Sequence, residues 1–131
     1  MNKIRRKGAA IVETSKGILV VAGRSKKFIL PGGGANKGES RKRAAIRELH
    51  EETGLKTKRI KYLFSYVGGK WHTHSGKSVR NHAKVFLIEA TGKPRPRHEI
   101  KYIDFWNTKS KINLTSGTRK VIEKYLITKN G

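Results

Sequence analysis

Between Leu30 and Leu55 the chain is first barred from regular structure and then pressed into a helix. Leu30-Pro31-Gly32-Gly33-Gly34 combines a residue without an amide proton with three that have no Cβ, which predicts loop. From about Ser40 to Thr53 the apolar residues return at helical spacing, and Gly54 supplies a C-cap signal. At about 100° per residue, Ala45, Ile46 and Leu49 share one arc, while Glu48, Glu51 and Glu52 share the next. Such a helix lays its apolar arc on a sheet and leaves three carboxylates beside it.

The rest of the chain supplies that sheet. Period-two patterning predicts strands over 7–13 and 18–23 around a Ser15-Lys16-Gly17 turn, and a short apolar run over Phe28–Leu30. Further strands are expected over 60–67 and 84–90, separated by a Gly/His/Lys-rich loop, and over 100–106. Residues 118–127 read as an amphipathic helix with Val121, Ile122, Tyr125 and Leu126 on one stripe. This order predicts an α/β fold, a mixed sheet flanked by helices. No repeat or linker interrupts the 131 residues, since Lys93-Pro94-Arg95-Pro96-Arg97 is too short to part domains. A single domain over 1–131 is therefore expected.

No apolar run approaches the ~18 residues of a membrane span, so no membrane partner is expected. Glu13 and Lys16 break the apolar stretch behind the basic start, so neither is a secretory signal. The chain has no cysteine, which excludes a disulfide framework and thiolate catalysis and fits a reducing cytoplasm.

Charge adds a second constraint. Thirty-one Lys and Arg stand against nine Asp and Glu, a formal net charge of +22. A surface of this kind attracts nucleotides, polyphosphates or nucleic acid. Four of the nine acids, Glu39, Glu48, Glu51 and Glu52, fall within fourteen residues. Carboxylates at i,i+3 and i,i+4 repel each other. A solvated acidic face is one outcome; a bound Mg²⁺ or Mn²⁺, which prefers hard oxygen ligands, is the other.

The flanking residues discriminate between these outcomes. Gly33, Glu39, Arg47, Glu48, Leu49, Glu51, Glu52, Gly54 and Leu55 spell G-x5-E-x7-R-E-U-x-E-E-x-G-U, where U is a bulky aliphatic residue. All nine positions match the signature of the Nudix (MutT-like) hydrolases, a family that the chain resembles through this 23-residue segment. The resemblance implies an α/β/α sandwich and Mg²⁺-dependent cleavage of a phosphoanhydride, with Mn²⁺ as a substitute. Carried over by position, it assigns the Gly32 carbonyl, Glu51 and Glu52 to the cation, and Glu48 to the cation or to the attacking water as base. It implies that Arg47 holds a carboxylate in place and that Glu39 supports loop geometry or a second ion. Gly33 and Gly34 would allow close approach of backbone to phosphate.

Outside this segment Glu99 is an isolated acidic residue in a basic stretch, either a salt-bridge partner or, as the resemblance implies from an acid that Nudix enzymes often place there, a metal ligand or catalytic base. Tyr102, Phe105 and Trp106 serve either the core or base stacking. His72 and His74 lack the third ligand a zinc site needs. A weaker likeness to the diphosphoinositol polyphosphate phosphohydrolase branch rests on Arg6-Lys7-Gly8-Ala9-Ala10, the triple glycine and Arg80-Asn81-His82. It would make Arg6, Lys7, Arg80 and His82 substrate-binding. Substrate classes left open are nucleoside triphosphates, dinucleoside polyphosphates, RNA 5′ ends and inositol pyrophosphates. A different class of function, a non-catalytic basic RNA-binding module on the same fold, also remains open. The oligomeric state is not legible in the sequence.

Overall fold

A computed structural model describes residues 2–130. The chain runs β1 (Asn2–Ile11), β2 (Glu13–Thr14), β3 (Gly17–Ala22), β4 (Gly32–Gly34), α1 (Arg41–Thr53), β5 (Lys56–His72), β6 (Ser78–Thr91), β7 (Tyr102–Trp106) and α2 (Ser116–Asn130). One sheet has the order β4-β1-β6-β5, with β1 and β6 parallel and the other pairs antiparallel; a smaller sheet has the order β2-β3-β7. Among the described residues no helix is long and apolar enough to cross a membrane.

Alternation along the strands builds two apolar layers. Ile11, Ile18, Val20 and Val85 face α2 and its Val121, Ile122 and Tyr125. Their neighbours Ala10, Val12, Leu19 and Phe86 face Ala45 and Leu49 of α1. The sheets are thus covered by a helix on each side, the expected α/β/α sandwich. Leu49 is fully buried, a contribution of about 1.5–3 kcal/mol.

Three local expectations are corrected. The triple glycine is not loop but strand β4, pairing Gly32, Gly33 and Gly34 with Ala9, Gly8 and Lys7. A strand needs no side chain where a helix presses on it. The loop expected between 67 and 84 shrinks to the turn around Thr73–Lys77, because β5 and β6 continue as a long hairpin through Trp71↔Val79. The first strand passes its hairpin partner and pairs with β6 from Asn2 to Ile11. Only Glu13 and Thr14 of β2 pair with β3.

Gly8 sets how closely α1 approaches. A Cβ there would lie 2.0 Å from the Arg41 carbonyl oxygen and 2.7 Å from the Ala45 nitrogen, both helix backbone that cannot swing aside. Gly8→Ala is expected to cost about 2–3 kcal/mol or more, read as a lower urea midpoint. Gly69, where a Cβ meets nothing within 4 Å, is the control. A neutral Gly8→Ala would show that α1 shifts freely.

Candidate active site

The carboxylate helix starts and stops where its sequence says. Ser40 is the N-cap, its Oγ accepting from the Arg43 amide at 3.1 Å, and Gly54 closes the helix at φ 79°, a conformation natural to glycine. The helix end is secured from outside as well. The Arg95 and Arg97 amides donate to the carbonyls of Thr53 and Glu52, and Arg97 Nη1 donates to the His50 carbonyl, a cation placed at the negative end of a helix. The Pro/Arg segment that looked like simple loop therefore folds onto α1 and brings Glu99 toward the box.

Arg47 organises the acids. Its Nε and Nη2 donate to Glu39 Oε2 and Oε1, each at 2.9 Å, a bidentate fork. Nη1 donates to Glu48 at 2.6 Å and more loosely to Glu51 at 3.3–3.4 Å, while Nη2 also reaches the Gly34 carbonyl at 3.1 Å. One guanidinium thus ties β4, the connecting loop and the helix together, which its planar donor fork suits. The fork, together with the Asn36 amide, holds the Glu39 carboxyl down at about 2, and the same acids push Arg47 upward.

Glu52 stands apart. It is 5% exposed, and its Oε1 accepts from the Gly32 amide at 3.0 Å. Burial, with Glu48 and Glu99 adding repulsion, pushes its carboxyl up to about 8 despite that bond and the nearby Lys7. Gly32 must be glycine here, since its φ is 149° and a Cβ would stand 2.3 Å from the Gly8 carbonyl oxygen, whereas a Cβ at Gly33 would displace the Glu48 carboxylate 2.7 Å away. Among the described residues no three acid or histidine side chains already form a cation cage. The reason is geometric: Arg47 draws Glu48 and Glu51 to itself while Glu52 turns to Gly32.

The basic residues divide by face. In β1 the Lys3, Arg5 and Lys7 rows pair with Val79, Asn81 and Ala83 of β6. Lys7 lies close enough to Glu52 and Glu48 to feel both charges, although burial and Arg5 lower its pKa. It also lines a hollow of about 420 Å³ with Tyr66, Asn81 and the start of α2 at Ser116–Thr118. The Arg5 guanidinium lies over Gly34. Arg6 points the other way and donates to the Glu39 carbonyl. Arg80 and His82 pair with Ile4 and Arg6, so alternation puts them on the opposite face from Lys7, lining a separate hollow with Lys70 and Ser78. Glu99 is exposed but near enough to repel Glu52. Trp106 is core, whereas Tyr102 is 39% exposed beneath the Lys26 ammonium.

Arg5 and the 420 Å³ hollow were not singled out from sequence. The Arg5-Arg6-Lys7 run was visible, but which of its members face the acids depends on strand register.

The fold and this acid-bearing helix define an α/β/α sandwich that carries a carboxylate cluster, an arrangement suited to handling phosphates through a cation. The NUDIX domain model matches residues 4–125, and the chain belongs to the Nudix family and is a pyrophosphohydrolase. It is 28% identical over 126 residues to an ADP-ribose pyrophosphatase of Methanocaldococcus jannaschii, covering 92% of this chain and 72% of that protein. A nudix hydrolase family member from Chromobacterium violaceum superposes with a TM-score of 0.80 at 34% identity, over 98% of this chain and 81% of that one. The MutT NUDIX hydrolase of Burkholderia pseudomallei shares the fold, with a TM-score of 0.71 at 23% identity over 92% and 97% of the two chains.

Proposed function

We propose that the chain hydrolyses a phosphoanhydride bond in a nucleotide with the help of Mg²⁺, Mn²⁺ serving in its place, held by Glu51, Glu52 and the Gly32 carbonyl. The observation that carries this is Glu52. A buried carboxyl with a second acid beside it and only a backbone amide as hydrogen-bond partner is a group that a cation would allow to ionise at neutral pH. Hard oxygen donors suit Mg²⁺. Glu51 is 46% exposed and only loosely held by Arg47, so it can turn to a cation at little cost.

When bound, the cation neutralises the diphosphate and makes an attacking water more acidic. The protein's own groups do the rest. Glu48, fixed by its short bond to Arg47, accepts the proton of the water that attacks phosphorus, or serves as a further ligand. Arg47 keeps Glu48 aimed and Glu39 in the loop. Lys7 and Arg5, on the face nearest the acids, bind phosphate oxygens, and the β4 amides allow the phosphates close to the backbone. Glu99 adds a further acid beside Glu52. The hollow beyond Lys7 receives the nucleoside half, in keeping with the relative named as an ADP-ribose pyrophosphatase.

A phosphate-release screen over ADP-ribose, nucleoside triphosphates, dinucleoside polyphosphates, triphosphorylated RNA and inositol pyrophosphates tests the reading. Turnover should require Mg²⁺ or Mn²⁺ and stop with chelator. Near-normal rates in both Glu51→Gln and Glu52→Gln would remove the assignment. Millimolar Mg²⁺ should also raise the melting temperature by several degrees, since a ligand that binds only the folded state stabilises it. A shift below about one degree at a concentration that supports turnover would show that the acids are not its site.

A further inference from the structure

A groove of about 580 Å³ runs beside the active site, and of its lining side chains the proposed reaction uses only Arg5. One wall is the segment Gly34–Lys37 that leads from β4 toward the carboxylate helix. The others come from β1 and from the far end of the β5–β6 hairpin. Its floor follows from register. Lys3, Val79 and Trp71 form one cross-strand row, and Arg5 follows Lys3 on the face that also carries Lys7.

Two features of the groove exceed what the fold needs. Five cations line it, Lys3, Arg5, Arg6, Lys37 and Lys77, and no acid does; of these, Arg6 is tied to the loop through the Glu39 carbonyl. None of the five takes part in the ion pairs among the described residues, which use Arg47, Lys58, Arg59 and Lys129. Trp71 is 40% exposed at a hairpin end, where a core has no use for an indole. Unpaired cations repel one another, and an exposed indole wastes apolar surface. Both costs are relieved together by a ligand that alternates phosphates with flat aromatic rings.

We infer that this groove binds single-stranded nucleic acid, with Trp71 stacking on a base while Lys3, Arg5, Lys37 and Lys77 neutralise the flanking phosphates. A duplex keeps its bases stacked inside and offers Trp71 nothing, so the single strand is the form that fits. The inference concerns binding alone and does not require the hydrolysis proposed above.

The chain contains two tryptophans, and Trp106 is buried at 9% exposure, so Trp71 is the reporter. Titration with an oligoadenylate of about ten nucleotides, in chelator, should quench the Trp71 fluorescence saturably. Affinity measured by anisotropy of a labelled oligonucleotide should fall about tenfold in Trp71→Ala and stay near wild type in Trp71→Phe, which keeps a stacking ring. Inorganic polyphosphate, which has charge but no bases, should bind without quenching and should be indifferent to Trp71→Ala. The inference is overturned if the oligonucleotide produces no quenching, if Trp71→Ala binds it unchanged, or if a duplex of the same length binds as tightly. Because Trp71 is a surface residue, circular dichroism of Trp71→Ala should match wild type. Should that variant misfold, the Trp71→Phe comparison and the duplex control still decide the matter. Binding without hydrolysis would keep this inference and remove the proposed reaction, and hydrolysis without binding would do the reverse.

Discussion

Glu52→Gln is expected to lose several orders of magnitude in turnover and yet melt at a higher temperature than wild type in metal-free buffer at pH 8. Both effects come from one carboxyl. Folding raises it from an ordinary 4.5 to about 8, chiefly through burial and then through Glu48 and Glu99. An acid raised in this way binds its proton more tightly when folded. The stability it contributes is therefore full below about pH 4.5 and lost as pH rises through about 8. At about 1.4 kcal/mol per unit the loss amounts to a few kcal/mol, all of it in the metal-free protein. Glutamine keeps the acceptor for the Gly32 amide and removes the charge, so its stability should stay flat across that window. Added Mg²⁺ should reverse the ranking, because only the wild type gains a ligand. Differential scanning calorimetry at pH 5, 6.5 and 8, with and without Mg²⁺, reads all of this. If the wild type lost nothing between pH 5 and 8 without metal, the buried-charge account of Glu52 would be wrong.

The contrast between Glu52 and its neighbours shows what spacing can and cannot convey. The helix, its start near Ser40, its C-cap at Gly54 and the buried arc of Ala45 and Leu49 were legible because each depends on residues within one or two turns. That Arg47 holds Glu48 or a neighbouring carboxylate was implied by the family pattern alone, since adjacent residues on a helix do not face each other. The bidentate grip on Glu39, eight residues away, was not foreseen: the family pattern gave Glu39 only to loop geometry or a second ion. Sequence could not show that Arg47 also holds Glu51 and the Gly34 carbonyl, leaving Glu52 alone and buried.

The glycine run misled for a physical reason. Glycine and proline signal loops because most chains place them where nothing packs. Here Gly32–Gly34 pair with β1 in a place too tight for side chains, where a Cβ at Gly32 would stand 2.3 Å from the Gly8 carbonyl oxygen. Likewise Gly68, Gly69, His72 and His74 read as loop by composition, yet β5 continues to His72, with Gly68 and Gly69 at a bulge between the paired Val67 and Lys70. Backbone hydrogen bonds across a hairpin do not require β-prone side chains. Trp71 was lost in the same stretch, and with it the groove.

That groove and the acid site together set the strongest expected dependence of rate on salt. The resting charge is +22, but net charge only attracts; slopes are set by phosphates actually contacted. An oligonucleotide neutralised by about four cations, at a slope of about −0.7 per contact for single strands, loses several hundredfold in affinity over a tenfold rise in salt. A small diphosphate such as ADP-ribose, whose charge is largely met by the metal and by Lys7 and Arg5, should lose no more than about tenfold over the same range. We therefore expect kcat/KM for a 5′-triphosphorylated oligoribonucleotide to fall steeply between about 20 and 200 mM salt and that for ADP-ribose to fall gently. Lys3→Ala combined with Lys77→Ala should flatten the first profile, raising KM more than it lowers kcat, because contacts remote from the reacting phosphorus bind ground and transition states alike. Equal slopes for the two substrates would mean that the groove lies outside the path of any substrate and that the basic surface acts only as a diffuse attractive field.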